Sequence, residues 1–259
     1  MQADRPTSTA SAKSTATSTP LRSRSSPMTL HGNQTRAEWA VGILLAMIAG
    51  YLDGYGLLFL GTYVSFMSGN TTSTGLRSGQ GDFHAAFPSA VAIVFFVTGS
   101  FLGNLLSQSR LRHSHRIVFG LIAGLVATVA GFEWSGLRNI YFQIALLCLA
   151  MGMTNPALSK IGAEPVSLTF VTGTLSRIGG HLASAAGRKP LKERLGPGDS
   201  HLARAMIEAS VWCGFLAGAV LSGIAGSIFR TWALLPPCVV MLTLGLFSEC
   251  ATPTRENTV

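Results

Sequence analysis

The sequence predicts an all-α integral membrane protein of about six transmembrane helices plus two short polar segments that re-enter or break, arranged as an inverted internal repeat. Three observations carry this. Apolar runs of about 20 residues recur along the chain, long enough to cross a hydrocarbon core of roughly 30 Å. The basic residues gather in a few clusters between those runs. Two Ser/Thr/Gly strings of matching pattern occupy matching places in the two halves.

Composition sets the class. Of the 259 residues 48% are hydrophobic and only 12% are charged, about half the charge of an ordinary soluble domain. Mean hydropathy is +0.41. The 29 glycines suit close helix packing in lipid. The net charge of +8 does not indicate nucleic acid, because no aromatic residues interleave with the basic ones. The lipid bilayer is the expected partner. Cys148, Cys213, Cys238 and Cys250 all lie in apolar runs without metal-ligand spacing, so they read as small packing residues, and no metal or other cofactor is expected.

Residues 1–37 are rich in Ser, Thr and Pro, with Arg5, Lys13, Arg22, Arg24 and Arg36. Such a head buries no core and reads as disordered. Its Arg- and Ser-rich composition also resembles a mitochondrial transit peptide, but without amphipathic periodicity an unstructured cytoplasmic tail is the favoured reading. Residues 38–250 form the membrane domain, with halves at 38–134 and 138–250, and 251–259 are a short tail. Apolar spans are expected at 39–61, 88–106, 117–132, 140–158, 203–228 and 232–247. Residues 63–76 and 166–182 are half apolar and too polar to be confident spans.

Orientation follows from the cations. The head, the loop carrying Arg110, Arg112 and Arg116, and the loop carrying Arg188, Lys189, Lys192, Arg194 and Arg204 all belong inside by the positive-inside rule. This requires each short polar segment to enter and leave on one side, with both termini cytoplasmic.

The repeat is explicit. Ser65-Phe66-Met67-Ser68-Gly69-Asn70 aligns with Thr169-Phe170-Val171-Thr172-Gly173-Thr174, and Gly75 aligns with Gly179. Upstream, Gly50-Tyr51-Leu52-Asp53 aligns with Gly152-Met153-Thr154-Asn155. Three spans per half is an odd number, so the second half is inverted, a mark of transporter and channel folds.

The strings AGYLDGYGLLFLG, VSFMSGNTT and LTFVTGTLSRIGG resemble the YoaK-like family of bacterial integral membrane proteins over residues 40–247. Thr154 and Pro156 stand where that family has Gln and Ala. The family has no established biochemical function, so the resemblance implies topology and no substrate.

Asp53 lies inside the first apolar run, where a carboxylate costs on the order of 3 kcal/mol unless it faces protein or water. It is a candidate cation, proton or solute site, or else a structural group that caps a broken helix or pairs with Arg177. Gly50 and Gly54, one turn apart, let another helix approach, and with Gly56 they weaken the run near Asp53. Asn155 is its counterpart beside Pro156, with a lining role or a plain proline kink as the alternatives. Ser68, Gly69, Asn70 and Thr71, and Thr172, Gly173 and Thr174, read as starts of half-helices whose N-termini would make a positively polarised spot for an anionic or dipolar solute. Glu133, Glu208, Asn104 and Gln108 read as interfacial. The Gly99/Gly103, Gly120/Gly124 and Gly214/Gly218 pairs read as packing faces, which could also join a homo-oligomer. Pro236-Pro237 should kink or delay the last span.

These features point to a small-solute transporter or channel, with a structural or regulatory membrane protein, or an intramembrane enzyme, as alternatives. Catalysis is disfavoured: no HExxH, Walker loop or GxGxxG occurs, and no histidine sits within a span beside a nucleophile motif.

Overall fold

The computed structural model describes residues 29–109, 114–136, 139–157, 171–191, 198–229 and 232–247. Among the described residues every regular element is helical. In order these are α1 (Thr29–Tyr55), a π-helical turn (Gly56–Leu60), α2 (Met67–Gly79), α3 (Phe83–Gln108), α4 (Ser114–Ser135), α5 (Ile140–Ala157), α6 (Val171–Ala186), α7 (His201–Ile228) and α8 (Leu235–Phe247). Trp39–Leu60, Phe83–Gln108, Arg116–Ser135 and His201–Ile228 are long and apolar enough to cross a membrane, and Ile140–Thr154 and Leu235–Leu246 are shorter apolar helices. The all-α membrane class follows. Large apolar side chains such as Val94, Val97, Phe101, Val220 and Ile224 point outward, as a lipid-facing surface requires.

Several boundaries differ from the sequence reading. α1 begins at Thr29, so the backbone of 29–37, assigned above to the head, continues the first helix. Residues 1–28 and 251–259 lie outside the described residues, as does the upstream part of the second polar segment, 166–170. The α-helix also runs unbroken past Asp53 to Tyr55. The interruption comes at Gly56–Leu60, where the hydrogen-bonding widens to a π-turn and ends at Gly61 with φ of 68°, a left-handed geometry that glycine adopts without steric cost. The last helix starts at Leu235, which puts Pro236 and Pro237 in its first turn, where proline is tolerated.

The most extensive packings are α1 on α7 and α3 on α5, and in both pairs glycine brings backbones together. A Cβ on Gly218 would lie 1.8 Å from the Met47 carbonyl oxygen, and one on Gly50 would lie 2.0 Å from that of Phe215. The other pair has the same arrangement: a Cβ on Gly99 would lie 2.1 Å from the Leu149 carbonyl oxygen, and one on Gly152 would lie 2.1 Å from that of Phe96. Both pairs run parallel. Along α1 and the π-turn, residues 43, 47 and 59 meet 214, 218 and 226 in turn. Along α3, Phe87 touches Tyr141 near the start of α5, and Phe96 meets Gly152 further on.

Two short helices end at opposite ends of this bundle. Leu60 at the end of the π-turn, Arg77 at the end of α2, His84 at the start of α3 and Tyr141 at the start of α5 border one cavity. They define a first end. There Glu133 accepts a hydrogen bond from Gln143 at 3.0 Å, and Trp134 stacks against Trp232. α2 therefore starts inside the bundle and leaves by the end where the first span leaves. α6 does the converse: its far half meets the start of α7, with His181 and His201 3.0 Å apart through their Nδ1 atoms.

α3 buries Ala86, Ser89, Ala92, Gly99 and Gly103. α7 buries Ala205, Glu208, Val211, Gly214, Gly218 and Ser222. Both start on a side-chain cap, Asp82 accepting from the Ala85 N–H and Ser200 from the Ala203 N–H.

Candidate functional site

Asp53 is the anchor of the site. It is 4% exposed, and its carboxyl reaches across to the chain returning from the π-turn. Oδ1 accepts from the backbone N–H groups of Val64 at 2.8 Å and Ser65 at 2.6 Å, and Oδ2 accepts from the Ser65 hydroxyl at 2.7 Å. These bonds answer the lone pairs that burial would otherwise strand. They also bring the chain that turns at Gly61 back alongside α1. Of the two readings of Asp53, the structural one describes its contacts. Arg177 is not its partner, because a guanidinium from α6 engages Glu208 instead.

α2 begins at Met67, behind Phe66, which makes no side-chain cap bond. Ser68, Gly69 and Asn70 thus lie within the first turn rather than at the cap. Asn70 is 1% exposed and folds back over the incoming loop. Its Oδ1 accepts from Thr62 Oγ1 at 2.8 Å and from the Tyr63 N–H at 3.2 Å, while Nδ2 donates to the Tyr63 carbonyl at 2.7 Å. A side-chain amide with donor and acceptor on one head suits a loop that offers both. Gly69 leaves room for the Phe66 ring, which a Cβ would meet at 2.5 Å. Ser68 is exposed, and Thr71 is exposed with its hydroxyl returned to the Met67 carbonyl at 2.8 Å.

The described part of α6 opens at Val171, which aligns in sequence with Met67. Thr172 is exposed, and Thr174 is the buried residue of the helix, as Asn70 is of α2. Gly173 lies between them on the first turn. The start of α2 meets the first described turn of α6. Ser65, Phe66, Met67 and Ser68 from one, and Val171 and Thr172 from the other, border a cavity of about 190 Å³ together with Phe96 of α3. The unpaired N–H groups of a helix's first turn carry partial positive charge, so the start of α2 at this cavity favours an anionic or dipolar guest.

Below this cavity the second half is charged. Arg177 grips Glu208 through both carboxylate oxygens, Nε to Oε1 at 2.8 Å and Nη2 to Oε2 at 3.0 Å, and Nη2 also reaches Thr174 Oγ1 at 3.4 Å. Glu208 is 4% exposed, which corrects its interfacial reading: it sits on the face of α7 that packs against α6. Asn104 and Gln108 are exposed near the end of α3 and Glu133 lies at the first end. The backbone of Asn155 continues α5, but its side chain lies outside the described part of the structure.

Thr62 and Ser89 were not singled out from sequence, Ser65 stood only within the repeated string, and Glu208 was read only as interfacial. Glu208 carried the same signal as Asp53, an acid within an apolar helical run. Ser65 carried none beyond its place in the repeated string.

The chain matches the family model described as protein of unknown function (DUF1275) over residues 41–247. It is 32% identical over 213 residues to the UPF0700 transmembrane protein RA0705 of Rhizobium meliloti (strain 1021), covering 81% of this chain and 87% of that protein. It is 25% identical over 204 residues to the UPF0700 transmembrane protein YoaK of Bacillus subtilis (strain 168), covering 76% and 88%. No solved structure matches the chain. With a buried Asp53 holding the entry to a half-length helix inside an apolar bundle, and a family match running from Val41 in α1 to Phe247 at the end of α8, the chain belongs to the DUF1275 family of integral membrane proteins.

Proposed function

We propose that this protein conducts or transports a small anionic or dipolar solute across a bacterial inner membrane, through the cavity where α2 and α6 meet. The observation that carries the reading is that cavity: the N-terminal turn of α2 and the first described turn of α6 border it, with Ser65, Ser68 and Thr172 among its lining. Helix breaks and polar backbone inside a membrane bundle are tolerated where they line a cavity.

In this reading the two halves are inverted copies. Gly50 on Phe215 and Gly218 on Met47 are mirrored by Gly152 on Phe96 and Gly99 on Leu149. The buried set Ala86, Ser89, Ala92, Gly99 and Gly103 has the spacing of Ala205, Glu208, Val211, Gly218 and Ser222. Six helices span, α2 re-enters from the outer side and α6 from the inner. Both termini and the basic loops lie in the cytoplasm. Asp53 and Asn70 hold α2 in place, and Arg177 with Glu208 holds α6. We assign the chain no catalytic role, since the acid beside the Ser65 hydroxyl is also engaged by two backbone N–H groups. A Cβ added at Gly120 or Gly124 would meet nothing within 4 Å, and a homo-oligomer joined through that face of α4 belongs to the same proposal.

The test is chemical access. In a cysteine-free background, Ser68→Cys and Thr172→Cys should react with small water-soluble thiol reagents, an anionic reagent faster than a cationic one of similar size. Silence at both positions in folded protein would contradict a water-filled pathway.

A further inference from the structure

The central cavity leaves a second one unexplained, at the end of the bundle where the first span leaves. It measures about 260 Å³ and is bordered by Arg77, His84, Ser89 and Tyr141 over an apolar rim that includes Leu60 and Pro88. Arg77 comes from the last turn of α2 and His84 from the first turn of α3. Ser89 is 4% exposed and stands 3.5 Å from Thr62 Oγ1, which donates to Asn70 Oδ1 at 2.8 Å. A polar chain therefore leads from this cavity to the first turn of α2, whose opposite side borders the central cavity.

The charge here is one-sided. Among the described residues no carboxylate borders the cavity. Asp82, the acid nearest in sequence, is turned to the Ala85 N–H at 3.0 Å. Among the described residues Arg77 engages no carboxylate, in contrast to Arg177 and Arg204, which are paired. A guanidinium left open on a cavity beside an imidazole and two hydroxyls offers parallel N–H donors that match the oxygens of an oxyanion.

We propose that this cavity is the outer binding station for a small free oxyanion of the carboxylate or phosphate type, gripped by the Arg77 guanidinium. Its further donors are His84, Tyr141 and Ser89. The proposal rests on the pathway reading above and names the solute's charge and its point of entry. A phospholipid headgroup carries the same phosphate chemistry, so the test must separate the two sources.

Formate and inorganic phosphate, as sodium salts at constant ionic strength, are titrated calorimetrically into the full chain purified in a maltoside detergent. At least one should bind. Arg77→Gln should weaken that binding tenfold or more, and Arg77→Lys, which keeps charge but loses the fork, should weaken it less. Binding by neither anion, or equal binding by Arg77→Gln of unchanged thermal stability, would overturn the proposal. Native mass spectrometry adds a second arm. A phospholipid retained by the wild type, lost from Arg77→Gln and not displaced by either anion would assign Arg77 to a headgroup and likewise overturn it. Arg77-dependent binding together with silent cysteines at positions 68 and 172 would instead fail the pathway and leave this site standing.

Discussion

Replacing Asp53 by alanine should abolish or severely lower the folded yield, with a fall of about 3–6 kcal/mol in stability. The carboxyl accepts from the N–H groups of Val64 and Ser65 and from the Ser65 hydroxyl. Each buried donor left without a partner costs on the order of 1–3 kcal/mol. No water reaches a 4%-exposed residue easily, and the loss falls on the turn that aims α2. Asp53→Asn separates the structural role from a transport role. Its Oδ1 can accept from both backbone donors, and its Nδ2 can donate to Ser65 Oγ, so every bond has a counterpart with less charge assistance. Thermal melts in detergent should therefore rank the wild type first, Asp53→Asn a little lower and Asp53→Ala far below. If Asp53→Asn melts like the wild type yet abolishes solute flux, the carboxyl acts in transport and the anchoring account is wrong.

The second large effect is expected from a single methyl group. In Gly218→Ala the new Cβ would sit 1.8 Å from the Met47 carbonyl oxygen, a backbone atom that cannot rotate away. α1 and α7 would have to separate along their whole contact. Overpacking a close-packed interior typically costs about 1–3 kcal/mol, and a rigid backbone obstacle places this change at the upper end. Gly99→Ala should do the same between α3 and α5, where the obstacle is the Leu149 carbonyl at 2.1 Å. Gly120→Ala is the control. Nothing lies within 4 Å of its Cβ position, and alanine is the better helix former by about 1 kcal/mol. Melting temperatures should fall for the first two and hold or rise for the third. Equal tolerance at Gly218 and Gly120 would contradict the close helix contact.

Much of this architecture was readable in the chain because membrane helices announce themselves by length and composition, and because the string at Ser68 marks a helix start. Met67, one residue ahead of Ser68, is where α2 begins, and Val171, one residue ahead of Thr172, opens the described part of α6. The Gly50 and Gly54 face was readable as a close contact, since small residues one turn apart have few other uses in lipid. The partners of polar groups were not readable. Nothing local says that Asp53 turns to residues 64 and 65 rather than to Arg177, because that choice depends on how tightly the chain reverses after Gly61. Glu208 was misjudged for a similar reason. Its position in α7 is close enough to the helix start to suggest an interface, yet the face it occupies is the one covered by α6. The cavity bordered by Arg77 and His84 combines the ends of four elements, and no pattern within any one of them marks it.

The central claim is that α2 and α6 each enter and leave at one end of the bundle, at opposite ends, so that the chain crosses the membrane six times. Impermeant thiol labelling of intact cells tests it most directly, using single cysteines at Gln80, Ser114 and Gly198 in a cysteine-free background. The account predicts that Gln80→Cys is labelled from outside, while Ser114→Cys and Gly198→Cys are labelled only after the membrane is opened. Labelling of Ser114→Cys in intact cells together with protection of Gln80→Cys would mean that α2 crosses completely, and would contradict the inverted six-span arrangement.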